Sequence, residues 1–131
     1  MIIIVASSSF CFQRCAVAEG ARASLVCSGS YTTYKPEMSK ATISPSSATI
    51  DFTESRFLTP IGEFGIKEKD ENVLWIVANQ KTLMQKNEHL SGTIDRISGE
   101  VFIAWLDQAS SSKMDLNRRA DFTCKPAKKM F

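Results

Sequence analysis

His89 is the only histidine in the chain. Any Ser-His-Asp or Cys-His catalytic arrangement would therefore have to use it. Its neighbours Asn87, Glu88 and Leu90 form no nucleophile elbow and no oxyanion-hole motif. A histidine without such partners is typical of a solvated surface or loop position. We therefore predict that the protein has no catalytic residues and is not an enzyme.

Four carboxylates concentrate between positions 63 and 71. Paired carboxylates hydrolyse glycosides when they lie about 5 to 9 Å apart across a cleft. Here Lys67 and Lys69 are interspersed among them, a pattern typical of a solvated turn. The chain contains no Cys-x-x-Cys pair and no glycine-rich phosphate loop. The sequence thus predicts neither a metal site nor a cofactor.

The charge of the chain argues against nucleic acid as a partner. Sixteen Lys and Arg against 14 Asp and Glu leave a net charge of +2, far from the dense positive field of a dedicated nucleic-acid binder. Lys125, Lys128 and Lys129 form a small basic cluster that could touch an anionic membrane or an acidic partner. So few charges are more typical of a solvated terminus.

The first eighteen residues have the pattern of a secretory signal peptide. Residues 1–12 are apolar, but about twenty such residues are needed to span a bilayer, so no transmembrane segment is predicted. Ala16-Val17-Ala18 has the small-x-small pattern of a cleavage site. We predict cleavage after Ala18 and a single periplasmic or secreted domain over 19–131. The alternative is that Ile2 to Val5 form a first β-strand.

The cysteines support the same compartment. Cys11 and Cys15 would leave with the signal peptide, so the mature chain keeps Cys27 and Cys124. A disulfide between them closes a loop of about 100 residues, which contributes roughly 4.7 kcal/mol in the chain-entropy model. The alternative is a pair of buried free thiols in a cytosolic protein.

Alternating polarity, rather than a helical period, runs through the mature chain. Residues 24–32 show it clearly, because Leu25 and Cys27 share one face while Val26 and Ser28 share the other. Gly99 ends a short connection typical of a hairpin. Strands are predicted over 24–32, 48–53, 57–66 (bent or at an edge), 73–77, 90–95, 100–107 and 119–124, with connections over 35–47, 80–89 and 108–117.

These strands predict an all-β fold: an antiparallel meander of about seven strands that forms a small barrel or a sandwich. Trp75 and Trp105 each lie inside an apolar run, so both are predicted to be core residues. The alternative is that the two rings line a barrel interior that holds a small apolar ligand.

Two segments carry a family resemblance. Gly92-Thr93-Ile94-Asp95-Arg96-Ile97-Ser98-Gly99, followed by the ending Cys124-Lys125-Pro126-Ala127-Lys128-Lys129-Met130-Phe131, resembles a family of small exported bacterial proteins of unknown function. The resemblance implies export, a β-rich fold and the pairing of Cys27 with Cys124. It brings no activity and no binding residues.

Without a catalytic motif, the sequence favours a non-catalytic module that binds a small apolar ligand or a protein. The alternative is an inhibitor of a secreted hydrolase such as lysozyme. Small periplasmic lysozyme inhibitors are also compact disulfide-linked barrels, so this alternative rests on an analogy of fold.

Overall fold

The computed structural model describes residues 21–35, 37–107 and 115–128, and its regular elements are all β-strands. The predicted signal peptide and its alternative strand lie outside these residues, as do Lys129 and residues 108–114. The eight strands are β1 (Arg22–Thr33), β2 (Ser39–Asp51), β3 (Arg56–Thr59), β4 (Gly62–Glu68), β5 (Val73–Val77), β6 (Glu88–Asp95), β7 (Glu100–Asp107) and β8 (Asp115–Pro126).

The strands form a closed barrel in sequence order. Each strand pairs antiparallel with the next, and β1 pairs with β8 to complete the ring. Closure gives every strand a neighbour on both sides, although β2 pairs with β3 only over residues 49–51. The all-β prediction is confirmed, and the fold is a barrel rather than a sandwich.

A disulfide joins the two strands that close the ring. Cys27 in β1 is the register partner of Cys124 in β8, and the two Cα atoms lie 4.0 Å apart in the bonded pair. The predicted disulfide is therefore confirmed, and the alternative of two free thiols is wrong.

Inward-facing side chains fill the barrel, as expected for eight strands. Trp105 is only 2% exposed, which confirms its prediction as a core residue. The buried apolar core consists of Cys27, Ala48, Ile50, Phe57, Phe64, Ile66, Leu74, Ile76, Leu90, Ile94, Val101, Ile103, Ala104, Trp105, Ala120, Phe122 and Cys124.

The prediction that Trp75 is a core residue is wrong. Its ring is 40% exposed on the outer face of β5, between the inward-facing Leu74 and Ile76. The ammonium of Lys69 lies 4.9 Å from the ring centroid. A barrel wall buries only one face of each strand, so the apolar run 73–77 does not mark a strand buried on both faces.

The predicted connection over 35–47 is also wrong in its greater part. β2 begins at Ser39 and pairs with β1 along its length, with a register shift between Cys27 and Gly29. Pro45 lies opposite that irregularity, where a missing N–H breaks no regular pairing. Proline and exposed polar residues are typical of loops, so the residue pattern did not predict this part of the strand.

Three further boundaries differ from the prediction. The segment 57–66 is two strands, β3 and β4, joined by Pro60 and Ile61, which raises the count from seven to eight. Glu88 and His89 belong to β6, and β8 already begins at Asp115. The hairpin of β6 and β7 is confirmed.

Candidate functional site

The two ends of the barrel differ in chemistry. At one end the turn 96–99 joins β6 to β7, close to the first residues of β1 and the last of β8; we call this end the hairpin mouth. At the other end Arg118 and Glu88 pair beside Trp105; we call this end the polar end. Each end has a cavity.

The hairpin mouth holds an apolar cavity of about 410 Å³. This volume lies within the range of about 300 to 1,000 Å³ that is typical of small-molecule sites. Its walls are the inward-facing side chains at the ends of several strands, together with the turn. The lining residues are Ala23, Leu25, Ile50, Phe52, Leu74, Ile94, Asp95, Arg96, Ile97, Ser98, Gly99, Cys124, Lys125 and Pro126.

Hydrogen bonds hold the turn of the hairpin mouth in place. Asp95 Oδ1 accepts the N–H groups of Ile97 (2.9 Å) and Ser98 (3.1 Å). The bonds from Ser98 and Ile97 favour the charged carboxylate and lower the pKa of Asp95. The Asp of the Gly92–Gly99 motif therefore shapes one wall of the cavity.

Gly99 fastens this turn to β8. Its φ is +79°, and its carbonyl accepts the N–H of Cys124 at 2.8 Å. A Cβ at this position would collide with the carbonyl oxygen of Cys124. Only glycine lets the turn approach the disulfide so closely. This close approach explains why the Gly92–Gly99 motif ends in glycine.

Arg96 lies at the rim of the cavity. Its guanidinium is 5.3 Å from the ring centroid of Phe52, and its backbone N–H donates to the carbonyl of Asn72 at 2.7 Å. Among the described residues, no carboxylate forms a salt bridge with Arg96 or with Lys125. The rim thus presents two cations to any ligand.

The polar end is closed by an ion pair over aromatic rings. Arg118 Nη2 donates to Glu88 Oε1 at 2.7 Å, and Nη1 donates to the Tyr31 hydroxyl at 3.2 Å. The guanidinium lies 4.6 Å from the Trp105 ring, and Asn117 Nδ2 donates to Glu88 Oε2 at 3.2 Å. These contacts close the end of the barrel, although Arg118 Nε and Asn117 Oδ1 are buried without a hydrogen-bond partner in the described residues.

The cavity at the polar end is the weaker candidate. It measures about 230 Å³, below the usual range for small-molecule sites. Glu63 and Arg118 line it together with Trp105. The indole Nε1 of Trp105 is buried and finds no hydrogen-bond partner in the described part of the chain. The larger hairpin mouth is the better site.

The ion pair at the polar end gives the fold an acid-sensitive contact. Burial by itself raises the pKa of Glu88, but the Gln85 N–H and the Arg118 and Asn117 side chains outweigh it, so the pKa lies below its ordinary value of 4.5. The contact therefore stabilises the fold above pH 4.5, and this contribution is lost as the pH falls through the lowered pKa.

Replacing Glu88 with Gln is expected to lower the free energy of unfolding at pH 7 by about 2 kcal/mol, because it removes hydrogen bonds to a charged group. At strongly acid pH wild-type Glu88 is itself neutral, so the difference should shrink. Urea denaturation at both pH values checks this. Glu68→Gln, at an exposed position of β4, is the matched control. A Glu88→Gln difference that does not change with pH would contradict the assignment.

Three residues that the sequence singled out, Trp75, Trp105 and His89, fall outside the hairpin mouth, whereas Cys124 and Lys125 line it. Trp75 is on the outer wall, and Trp105 lines only the smaller cavity. His89 is exposed on β6 opposite Leu106 and lines neither end cavity. That the protein is not an enzyme stays a prediction. Within the described ranges, no group of three His, Cys, Asp or Glu side chains could hold a metal.

Comparisons with protein-family models, with curated proteins and with solved structures return no significant match. In the described part of the chain, no helix has the length and apolar character needed to cross a membrane. The candidate site therefore rests on its own geometry.

Proposed function

We propose that this protein is an exported, non-catalytic barrel that binds a small apolar molecule in the hairpin mouth. The observation that carries the proposal is the apolar cavity of about 410 Å³ at the barrel end. The mouths of β-barrels are common ligand sites. A ligand seated there would remove its own apolar surface and that of Leu25 and Phe52 from water, at roughly 25 cal/mol per Å².

The rigidity of the cavity supports the same proposal. The disulfide fixes β1 against β8, and the bonds to Asp95 Oδ1 hold the turn. A preformed site costs little ordering entropy when the ligand binds.

Export is part of the proposal. The disulfide between Cys27 and Cys124 supports it, because such bonds persist mainly in oxidising compartments such as the periplasm or the exterior of the cell.

Replacing Ala23 with Phe is expected to weaken binding of 1-octanol at least tenfold. Ala23 lines the cavity at the start of β1, so a phenyl ring there would fill space that the ligand needs. The matched control is Ala41→Phe, at an exposed position of β2 opposite Tyr31. Isothermal titration calorimetry measures both variants. Unchanged octanol affinity in Ala23→Phe, or no binding by the wild type, would contradict the proposal.

A further inference from the structure

We propose that the ligand of the hairpin mouth is a free amphiphile with one negatively charged head group, and that Arg96 and Lys125 bind that head. This inference rests on the proposed function. It adds the chemical class of the ligand and the residues that select it.

Arg96 is placed to meet a ligand head at the cavity rim. Its guanidinium lies over Phe52, which is itself part of the cavity wall. The ring holds the cation in place through its face but leaves the planar N–H groups without an ion-pair partner in the described residues. Those groups match the two oxygens of a carboxylate.

Lys125 supplies a second cation from β8. It is exposed, follows Cys124 directly, and lines the same cavity. The ionisable side chains that line the cavity are Arg96, Lys125 and Asp95. Asp95 Oδ1 is already occupied by the N–H groups of Ile97 and Ser98. The rim therefore carries a net positive charge above an apolar interior.

This arrangement favours a ligand that combines two properties. The apolar walls accept a hydrocarbon chain, while the rim favours an anion over a neutral or cationic head group. A saturated monocarboxylate such as octanoate combines both properties. An alcohol of the same chain length would gain only the contacts with the apolar walls.

Three probes with the same eight-carbon chain test the inference: sodium octanoate, 1-octanol and octyltrimethylammonium. Calorimetry at low ionic strength is expected to show octanoate binding about tenfold more tightly than octanol, the range of a hydrogen-bonded charge contact. The cationic probe should bind more weakly than octanol. Arg96→Gln should lower octanoate affinity about tenfold and octanol affinity much less, because only the octanoate head group carries the charge that Arg96 binds.

Lys40→Gln is the control for net charge. Lys40 is exposed on β2, at the end of the barrel away from the hairpin mouth, where it pairs with Thr32. Losing this charge should leave octanoate affinity unchanged. If Lys40→Gln weakens octanoate binding as much as Arg96→Gln does, the attraction comes from the overall charge of the protein. The assignment of the head-group contact to the rim is then overturned.

The outcomes separate the inference from the proposed function. Equal binding of octanoate and octanol, with no effect of Arg96→Gln on either, would overturn the charged-head inference alone. Absence of binding by all three probes would overturn the proposed function as well. Sedimentation with anionic phospholipid vesicles distinguishes a membrane source: pelleting of the protein without octanoate binding would overturn the assignment to a free amphiphile.

Discussion

Replacing both Cys27 and Cys124 with Ala is expected to lower the free energy of unfolding by about 4 to 5 kcal/mol. The bond spans a sequence separation of 97 residues. In the chain-entropy model, a cross-link over a loop of that size removes roughly 4.7 kcal/mol of conformational freedom from the unfolded chain. Stabilities of small domains are of order 5 to 15 kcal/mol, so the loss is a large share of the total.

Urea denaturation of the oxidised wild type and of the double variant measures this effect. Reduction of the wild type in dithiothreitol should reproduce most of it, because the cross-link rather than the sulfur atoms provides the stabilisation. The pair also lies in the core and closes the ring between β1 and β8. A loss below about 1 kcal/mol would show that the barrel closes through its strand pairing alone.

Replacing Trp105 with Ala is expected to cost about 3 to 5 kcal/mol through the cavity left in the core. The ring is 2% exposed and meets Tyr31 and Phe64 edge-on, with centroids 5.9 and 5.8 Å apart. It also carries the guanidinium of Arg118 at 4.6 Å. Among the described residues of the polar end, Trp105 alone combines ring contacts to two aromatic side chains with a cation–π contact.

Trp75→Ala is the matched control for this prediction. The same substitution on the outer wall should cost less than about 1 kcal/mol, because the ring is 40% exposed and its cation–π contact with Lys69 is of the weak, exposed kind. Thermal and urea denaturation of both variants give the comparison. Equal losses of unfolding free energy in Trp105→Ala and Trp75→Ala would mean that the two rings are not on opposite faces of the barrel wall.

The sequence was enough to predict the strands whose faces differ in polarity. Leu25 and Cys27 marked the inner face of β1, and Gly99 marked the turn between β6 and β7. It predicted the end of β2 within the strand over 48–53 but missed residues 39–47, where Pro45 and exposed polar residues resemble a connection. A continuous apolar run does not show which side faces water, and for this reason Trp75 was misplaced.

The candidate site could not be derived from the sequence in the same way. Arg96 and Phe52 lie far apart in the chain, and only the closure of the barrel brings the guanidinium over the ring. The Gly92–Gly99 motif pointed to the right turn, but its spacing described a hairpin and gave no sign of a cavity. Barrel closure decides which strand ends meet, and closure depends on all the strands together rather than on the spacing within one segment.

The most direct test of the proposed function is a titration of ¹⁵N-labelled protein with octanoate, followed in ¹H–¹⁵N correlation spectra. Binding in the hairpin mouth should shift the amide signals of Ala23, Phe52 and residues 94–99, which line that cavity. The signal of the Trp105 indole N–H, at the polar end, should not shift. Shifts confined to the Trp105 indole and the residues around Tyr31, or no shifts at all, would contradict the proposal.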